Sequence, residues 1–393
     1  MKILFVADGR SPIALNWMSY FVDTAHEVHL ASTFACKPDL NLASFHLVPV
    51  AFSGFKSRQM ETQGRNRNKS LGGGIRANLR TSLRHWIGTF TLPGNAKALE
   101  NLIDRISPDL VHAMRIPYEG MLAAQALRRD SGVPLLVSVW GNDFTLHAPS
   151  TPWMSAYTRK TLQRTNGLHV DCQRDIRLAS DWGFTKIKPA IVLPGNGGVR
   201  LDEFYPPLPG ERMEPETIIN PRGIRAYIRN DTFFKAARLV VDNHPSIKFI
   251  CPAMADEPEA EKWIQKLKLK SSIVLLPHVS RQEMGDLYRR SIITISPSLH
   301  DGTPNTLLEG MACSCFPIAG DIESLREWIT SGKNGILIDP EDSVALTTAI
   351  LTALDQADFR QRAGEINFRM VSERAEYFQV MKSAERFYME ISD

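Results

Sequence analysis

The chain has 393 residues, of which 43% are hydrophobic and 23% are charged, the proportions of a folded globular protein. A chain of that length is too long for a single hydrophobic core, so we expect two domains of about 200 residues each. A net charge of +3 argues against a whole-chain nucleic-acid-binding polyelectrolyte. Five scattered cysteines indicate a reducing compartment and argue against a disulfide framework.

In chain order, short apolar runs alternate with helical patterns, which predicts parallel α/β sheets. The first run follows Met1 directly and ends at Asp8, which indicates a buried strand and not a signal peptide. The first series of predicted strands is 3–7, 27–30, 110–113, 135–139, 168–170 and 190–193. The second series is 217–219, 247–251, 273–276, 292–295 and 316–319. No apolar run reaches the ~20 residues that span a bilayer, so we expect a soluble protein or one bound to a membrane surface.

Glycine and proline concentrate at 194–198 and 205–210, between the two series, which predicts an interdomain crossover. We therefore expect an N-terminal domain over 1–198 and a C-terminal domain over 199–373. Helical patterns at 343–354 and 374–391 end the chain. The last helix, 374–393, is expected to pack back on the N-terminal domain.

The most informative stretch, 296–312, follows the predicted strand 292–295, and parallel sheets bind ligands at the carboxyl ends of their strands. Thr303 and Pro304 predict a helix start, with a hydroxyl cap before a proline at the first helical position. The N–H groups and dipole of that helix favour an anion such as a diphosphate. Glu309 lies about 7.5 Å further along the axis, where its carboxylate can accept hydrogen bonds from ribose hydroxyls. A capped helix with a solvent-facing Glu309 is the alternative.

This stretch resembles the signature of retaining GT-B glycosyltransferases, specifically glycosyltransferase family 4, in which two acids separated by seven residues flank a Gly-rich turn. Further matches to the family follow in the expected order at 8–12, 139–143, 199–206, 312–321, 327 and 332–337. The resemblance implies an α/β fold of GT-B type, with two doubly wound Rossmann-like domains facing a central cleft. It also implies transfer of a sugar from a nucleotide-diphosphate donor.

Carried over by position, the resemblance implies that Glu309 binds the donor ribose. Asp301, where the family usually has the longer Glu, would contact the transferred sugar. The residues implied to contact the donor diphosphate are Gly302, Thr303, Asn305 and Thr306. In the N-terminal domain, Gly9 and Arg10 match the first glycine-containing loop on the donor side. Asn142 and Asp143 match the turn on the acceptor side.

Other positions depart from the family pattern. Arg222 matches the family's diphosphate-binding arginine, but no lysine follows at the usual spacing, so Arg225 or Arg229 would take its place. A solvated loop is the alternative for Arg222.

In the N-terminal domain, His112 corresponds to the first of two family histidines and Met114 to the second, so Arg115 could supply a charge there instead. A packed structural residue is the alternative for His112. His278 matches a family position near the nucleobase.

The segment 56–87 is strongly basic, and Glu61 is the only acid within it. Ile75, Leu79, Leu83 and Trp86 recur every three or four residues beside arginines, which predicts a basic amphipathic helix. An anionic membrane surface or a lipid-pyrophosphate acceptor fits such a helix, and packing on its own domain is the alternative. No aromatic platform or known module accompanies the charge, which argues against nucleic acid.

We therefore expect a retaining enzyme that moves a sugar from a UDP- or GDP-sugar to a glycan or lipid-linked acceptor, in cell-surface polysaccharide or glycolipid synthesis. It would work without a metal or a resident cofactor, in the cytoplasm or peripherally on the inner face of the cell membrane. A nicotinamide-linked dehydrogenase is disfavoured, because no Gly-x-Gly-x-x-Gly follows Val6. A catalytically inactive nucleotide-sugar or glycan-binding protein is the remaining alternative.

Overall fold

Two parallel β-sheets organise the chain, and the computed structural model describes residues 1–50, 86, 88–128, 131–208 and 216–392. The first of two units comprises Met1–Gly197 and Met381–Asp393, and the second comprises Gly198–Val380. The chain passes from the first unit to the second within the glycine-rich run 194–198. The predicted basic helix, in segment 56–87, lies almost wholly outside the described residues.

The first sheet has seven parallel strands in the order β3-β2-β1-β4-β5-β6-β7. Its central strands are continuous apolar runs because helices cover both faces of such sheets. Ile3, Leu4 and Phe5, for example, have no exposed surface. In chain order the strands are β1 (Lys2–Ala7), β2 (Glu27–Ser32), β3 (Ser44–Leu47), β4 (Leu110–Ala113), β5 (Leu135–Val139), β6 (Gly167–Val170) and β7 (Ala190–Val192).

The helices described in Met1–Gly197 are α1 (Pro12–Val22), α2 (Leu92–Ile106), α3 (Met121–Ala126), α4 (Pro152–Arg164) and α5 (Gln173–Asp181). Helix α1 shows how local sequence sets a boundary. Ser11 caps it by accepting from the Ala14 N–H, and Pro12 occupies the start, where its missing N–H costs no intrahelical bond.

The second sheet has six parallel strands in the order β10-β9-β8-β11-β12-β13. They are β8 (Thr217–Ile219), β9 (Lys248–Cys251), β10 (Ile273–Leu275), β11 (Ser291–Ser296), β12 (Phe316–Gly320) and β13 (Ile336–Ile338). The helices that follow the crossover are α6 (Asn230–Asn243), α7 (Pro258–Leu267), α8 (Arg281–Arg290), α9 (Asn305–Ala312), α10 (Ser343–Asp355), α11 (Ala357–Arg374) and α12 (Tyr377–Ser392). None of the helices in the described ranges is long and apolar enough to span a bilayer.

The last part of α12 packs in the first unit through an aromatic cluster. The rings of Phe21 and Tyr388 stack with centroids 4.6 Å apart. The indole N–H of Trp17 donates to the Tyr388 hydroxyl at 2.8 Å, so this buried polar group is satisfied. The helix is thereby fixed to α1.

A glycine is required where the second unit begins. Gly198 has φ +97°, and a Cβ there would collide with the Ala375 carbonyl oxygen. The absence of a side chain lets the Val199 N–H donate to that carbonyl at 2.7 Å, while the Tyr377 N–H donates to the Val199 carbonyl at 2.9 Å. The first and last segments of the second unit are therefore joined by backbone hydrogen bonds.

Candidate functional site

In both sheets the strand order reverses once, and ligands of doubly wound folds bind outside the carboxyl ends of the strands at that point. In the second unit the reversal lies between β8 and β11. Arg222 follows β8, and the stretch from Asp301 to Thr306 follows β11. The residues predicted from sequence to bind a diphosphate therefore lie on both sides of the switch point.

Arg222 and Asp301 form a buried ion pair at this point, with the guanidinium Nη2 2.5 Å from the carboxylate Oδ2. A second guanidinium nitrogen, Nη1, donates to the Thr306 hydroxyl at 2.9 Å. The Arg222 backbone N–H donates to the Asn220 side chain at 3.2 Å. The loop after β8 and the start of α9 are thus cross-linked by one arginine. This environment excludes the solvated-loop alternative for Arg222.

The helix start differs from the prediction. Helix α9 begins at Asn305, with Pro304 in extended conformation as the residue before it and no side-chain capping bond. The Thr303 hydroxyl does not cap the helix and instead accepts from the indole N–H of Trp328 at 3.0 Å. The predicted Thr303 cap is therefore wrong by one position. The helix still leaves the N–H groups of its first turn without intrahelical acceptors, as every α-helix does.

The loop before α9 is fixed by its own neighbours. The Ser324 hydroxyl donates to the Asp301 carbonyl at 2.7 Å, and Gly302 and Thr303 are buried in the loop. This arrangement holds the backbone that leads into the first turn of α9, which contains Asn305 and Thr306.

Glu309 is partly buried in the fifth position of α9. Burial is the main reason why the pKa of its carboxyl rises from 4.5 to about 7; Glu203 reinforces the shift, while Arg281 and Arg222 oppose it. Carboxyl groups with raised pKa values cluster at functional sites.

The two candidates for the missing lysine differ. Arg229 is held by carboxylates, with Nε 2.9 Å from Asp231 and a second ion pair to Glu341. Arg225 is exposed, and its guanidinium donates to the Tyr227 hydroxyl at 2.9 Å. The positive charge of Arg225 is therefore less neutralised by neighbouring carboxylates than that of Arg229.

His278 is exposed and follows β10. The loops after β9 and β10 are joined there, because the Ala253 N–H donates to the Pro277 carbonyl at 3.1 Å. The same Ala253 lies next to Gly223, in the loop after β8. His278 thus stands at the same carboxyl edge as Arg222, on the outer side of the sheet.

The first unit has a cavity of about 250 Å³ at its own switch point, between β1 and β4. It is lined from the loops after β1, β2, β4 and β5 by Asp8, Phe34, Arg115, Tyr118, Glu119 and Trp140, among others. Tyr118 has φ 69° and ψ −58°, a rare γ-turn conformation for a residue with a side chain. Backbone strain of this kind clusters at ligand sites.

Arg115, which lines the cavity, is paired with a carboxylate. Arg115 contacts Asp143, with Nη2 2.6 Å from Oδ1. The Asp143 side chain is wholly buried and also accepts from the Ile116 and Trp140 N–H groups at 3.2 Å. Asp143 therefore positions the turn and Arg115. The neighbouring Asn142 is partly buried at the same turn.

Arg10 makes a two-point contact with Asp8, at 2.9 and 2.8 Å, and its guanidinium lies 3.6 Å from the Phe34 ring centroid. Gly9 precedes it for a steric reason. A Cβ at Gly9 would lie 2.6 Å from the Cys36 sulfur and 2.9 Å from the Ser32 hydroxyl. The close approach of the two loops therefore requires glycine.

His112 is fully buried below this edge. Its Nδ1 lies 2.5 Å from the Tyr388 hydroxyl and its Nε2 2.8 Å from the Ser138 hydroxyl, which also contacts His169 Nδ1 at 2.8 Å. Burial lowers the pKa of both histidines, that of His169 to about 4. Both ring nitrogens of His112 are thus committed to a structural network, which contradicts its predicted contact with the reacting groups.

One group of side chains in the described ranges has the spacing of a cation site: Asp171, Cys172 and Asp175. Arg174 already contacts Asp175 at 2.8 Å and donates to the Gly141 carbonyl. The Gly141 N–H in turn donates to Asp171 at 3.2 Å. The Arg174 guanidinium therefore supplies the positive charge among these side chains, and the cluster supports the turn beside the cavity.

Sequence reasoning missed several residues that the structure brings to these sites. Phe34 and Glu119 carried no motif, while Trp140 stands inside the matched stretch 139–143 and could have been found there. Trp328 and Ser324, which hold the loop before α9, are separated from it by more than twenty residues.

Comparison with known proteins agrees with this architecture. The family described as "Glycosyl transferases group 1" matches residues 204–370, and "Glycosyl transferase 4-like" matches residues 79–171. EpsD of Bacillus subtilis (strain 168), which is named as a glycosyltransferase, is 24% identical over 84% of this chain and 89% of its own length. A D-inositol 3-phosphate glycosyltransferase of Xylanimonas cellulosilytica is 22% identical over 45% of this chain and 46% of its own length.

Solved structures share the fold over the full chain. Sucrose-phosphate synthase from Thermosynechococcus elongatus aligns with a TM-score of 0.75 at 14% identity, covering 100% of this chain and 99% of that one. Anabaena HepE in complex with UDP-glucose aligns with a TM-score of 0.72 at 14% identity, covering 99% and 100%. With its two parallel sheets and these matches, the chain is a glycosyltransferase of GT-B fold, and its residues 204–370 match the glycosyl transferases group 1 domain.

Proposed function

We propose that the chain transfers a sugar from a nucleotide-diphosphate sugar to a hydroxyl of a glycan or lipid-linked acceptor, with retention of configuration. The observation that carries the proposal is the cross-link of Arg222 to Asp301 and Thr306 at the switch point of the second sheet. It holds a guanidinium beside the N-terminus of α9, and both attract the diphosphate.

In the proposed reaction, the bond between the sugar C1 and the diphosphate oxygen breaks, and its electron pair leaves with the diphosphate. The acceptor oxygen forms the new bond to C1 on the same face. The acceptor proton moves to an oxygen of the departing diphosphate, so no protein base is required. Arg222 and the first turn of α9 stabilise the charge that grows on the leaving group. Glu309 would hold the ribose, and the nucleotide sugar is consumed as a co-substrate.

A UDP-sugar is the first donor to test, since HepE was solved with UDP-glucose. Thermal unfolding with UDP, GDP, ADP and TDP tests the proposal directly, because a ligand at 100 times its Kd stabilises the native state by about 2.7 kcal/mol. Release of nucleoside diphosphate from the matching sugar then distinguishes an enzyme from a binding protein. If none of the diphosphates stabilises the protein, the proposal is wrong.

We further propose that the enzyme works at an anionic membrane surface on the cytoplasmic side. The basic segment 56–87 supports this proposal. Phe90 follows this segment closely in sequence and is exposed, and its ring lies edge to face with that of the exposed Trp153, with centroids 5.6 Å apart. Exposed aromatic side chains beside basic residues are typical of surfaces that contact lipid headgroups.

A further inference from the structure

We propose that Trp328 is a positioning residue for the donor diphosphate and that it acts by fixing the Thr303 hydroxyl as a hydrogen-bond donor. Arg222 fixes the Thr306 hydroxyl in the same way, so that two threonine side chains contact the diphosphate beside the start of α9. This inference rests on the proposed function, because it specifies how the same site holds its leaving group. Three observations carry it: the partners of both hydroxyls, the scarcity of backbone donors at the helix start and an unused donor on Arg222.

Both hydroxyls accept hydrogen bonds from groups that can only donate. The Trp328 indole N–H donates to the Thr303 hydroxyl at 3.0 Å, and the Arg222 guanidinium donates to the Thr306 hydroxyl at 2.9 Å. Neither an indole nor a guanidinium has an acceptor atom. Each threonine oxygen is therefore the acceptor in its bond, and its hydroxyl proton points away from that partner. Both side chains are thus oriented to donate their own proton to a further acceptor.

The start of α9 offers fewer backbone donors than an ordinary helix. The first four N–H groups of a helix lack intrahelical acceptors. Here Pro304 has no N–H, and the Leu307 N–H donates to the Pro304 carbonyl at 3.0 Å. Within the described ranges, the N–H groups that this turn keeps without a protein acceptor are those of Asn305 and Thr306. Hydroxyl groups on either side of Pro304 would supply the donors that the backbone lacks.

Arg222 brings an unused donor to the same place. Its side chain is 6% exposed, and two of its nitrogens are bonded to Asp301 and Thr306. Its Nε is buried and has no acceptor among the residues that the structure describes. Buried donors are nearly always satisfied by protein, water or a ligand. A phosphate oxygen is an acceptor that suits a guanidinium, so this nitrogen supports an anionic ligand beside the two threonines.

The two threonines are held by side chains that are themselves fixed. Trp328 is buried, and the Arg374 guanidinium lies over its ring, 4.1 Å from the centroid. The Asn334 side-chain amide donates to the Trp328 carbonyl at 2.9 Å. The Tyr288 hydroxyl donates to the Thr306 carbonyl at 2.8 Å. Both hydroxyls can therefore meet a ligand with little rearrangement, which is the condition under which a donor stabilises the charge on a leaving group most effectively.

The test removes each hydrogen-bonding group while keeping its shape. Trp328→Phe deletes the indole N–H and keeps a ring beneath Arg374. Thr303→Val and Thr306→Val delete the hydroxyls, and Thr303→Ser and Thr306→Ser keep them. The full-length variants are assayed for kcat and KM with the nucleotide sugar that wild type uses, and thermal unfolding shows that each is folded. Thr303→Ala replaces Thr303→Val if the buried valine prevents folding.

We expect each valine variant to lower kcat by about 10- to 100-fold with a smaller change in donor KM, because the hydroxyls bind the charge that grows on the leaving group. The serine variants should recover part of this loss. Trp328→Phe should lower kcat by about tenfold. Trp263→Phe on α7 and Thr347→Val on α10 are the matched controls and should keep kcat within about twofold, since Trp263 stacks on Phe234 and the Thr347 hydroxyl donates within its own helix.

Coupling between Trp328 and Thr303 separates positioning from a general structural role. If Trp328 acts through the Thr303 hydroxyl, Trp328→Phe should have little further effect in the Thr303→Val background. A tryptophan that only stabilises the fold would lower kcat equally in both backgrounds. The inference is overturned if the two changes are additive, or if Trp328→Phe or the valine variants keep the kcat of wild type.

Binding of nucleoside diphosphates separates this inference from the proposed function. UDP, GDP, ADP and TDP are the probes, and calorimetry measures the affinity of the one that stabilises wild type. If none binds, both proposals fail. If one binds and wild type transfers sugar, unchanged kinetics in the variants overturn the inference alone. If one binds and no sugar is transferred, the proposed function fails, and the inference then requires about tenfold weaker diphosphate binding in Thr306→Val and Trp328→Phe. Equal affinities overturn it.

Discussion

At the scale of single residues, Arg222 cross-links two loops, and we propose that it also stabilises the leaving diphosphate. Its guanidinium is 6% exposed and pairs with Asp301, so its position is fixed before any ligand arrives. Preorganised charge of this kind accelerates a reaction because it needs no rearrangement as the leaving group develops its charge. Asp301 therefore acts as a positioning residue for Arg222, in addition to any contact with the sugar.

Changing this pair should affect turnover more than binding. We expect Arg222→Ala to lower kcat by about 10²–10³-fold with a smaller change in donor KM. Asp301→Asn should lower kcat less, and Asp301→Glu should restore part of it by restoring the ion pair. Steady-state kinetics with the matched nucleotide sugar provide both constants. Because removing one partner of a buried pair can destabilise the protein by about 3–5 kcal/mol, thermal unfolding of each variant is measured in parallel.

Two variants control for this experiment. Arg238→Ala removes a half-buried arginine that is paired with the exposed Asp242 on α6 and should leave kcat within about twofold, because the pair lies at the surface and is not among the site residues. Arg225→Ala should lower kcat/KM if Arg225 replaces the missing lysine. A kcat for Arg222→Ala within twofold of wild type would show that Arg222 has no role in the reaction.

Glu309 should make both stability and donor binding depend on pH. Its pKa is about 7 in the folded state against an ordinary 4.5. Below pH 4.5 both states hold the proton, and between 4.5 and 7 only the folded state does, so the folded state loses stability as pH rises through this window. Above pH 7 the ionised Glu309 carboxylate destabilises the folded state by the full amount, about 3 kcal/mol.

Glu309→Gln should therefore stabilise the ligand-free protein at pH 8 and leave it nearly unchanged at pH 4.5. The same change should weaken nucleotide binding by about 1.5–3 kcal/mol at pH 8, because the ionised carboxylate accepts the stronger hydrogen bonds. Urea unfolding and calorimetry measure the two effects, and Glu261→Gln, on the exposed face of α7, is the control. Wild-type nucleotide affinity in Glu309→Gln would rule out the ribose contact.

At the scale of elements, vesicle sedimentation tests whether the basic segment 56–87 binds a membrane surface. We expect the protein to sediment with vesicles that contain anionic lipid and not with neutral vesicles. Each arginine near such a surface contributes about 1 kcal/mol, so replacing Arg76, Arg80 and Arg84 by Gln should reduce partitioning by about two orders of magnitude. Higher salt should have the same effect, because the attraction is screened over about 10 Å at 0.1 M.

The alternative for this segment is a helix packed on its own domain. In that case wild-type protein will not bind the vesicles, and Leu83→Ala will reduce the free energy of unfolding by about 2–5 kcal/mol. Activity of the Arg76, Arg80 and Arg84 triple variant on a short soluble acceptor should equal that of wild type if the segment contacts only lipid.

At the scale of the whole molecule, the two units should respond to acid in opposite directions. His112 and His169 are buried and neutral, with His169 titrating near 4 instead of 6.5. Because the unfolded chain binds protons at these histidines at higher pH than the folded unit does, they make the first unit lose stability as pH falls from 6.5 to about 4. The buried Asp175, whose pKa is raised to about 6, offsets part of this loss. Glu309 acts with the opposite sign, so the second unit gains stability as pH falls from about 7 to 4.5.

Urea unfolding at pH 7 and pH 5, followed by pulsed hydrogen exchange at one fixed labelling pH, measures the two units separately. We expect the unfolding midpoint of Met1–Gly197 peptides to fall relative to that of Gly198–Val380 peptides at pH 5. His169→Asn should reduce the change in the first unit, and Glu309→Gln that in the second. Equal shifts in both units would contradict the assignment. Because proteins with two units commonly unfold in more than one step, each unit is followed by its own unfolding midpoint.

The sequence by itself determined the fold class and most of the elements. Strand 110–113 and the helix predicted at 343–354 agree with β4 and α10 within a residue, because apolar runs and helical periodicity are local signals. The unpredicted β3 and β13 are exceptions: each lies at the edge of its sheet, and Phe45 and Leu47 of β3 are exposed. A half-covered edge strand does not require a continuous apolar run.

Only the tertiary structure decided which side chains meet. Arg222 and Asp301 are 79 residues apart, and His112 and Tyr388 are 276 apart. Thr303 had the residue type and place of a helix cap, yet its hydroxyl accepts a hydrogen bond from the distant Trp328, and the helix begins at Asn305, one position later than predicted. His112 matched a motif, yet Tyr388 and Ser138 occupy both of its ring nitrogens. A hydrogen bond depends on the position of both partners in space, and a local pattern specifies only one of them.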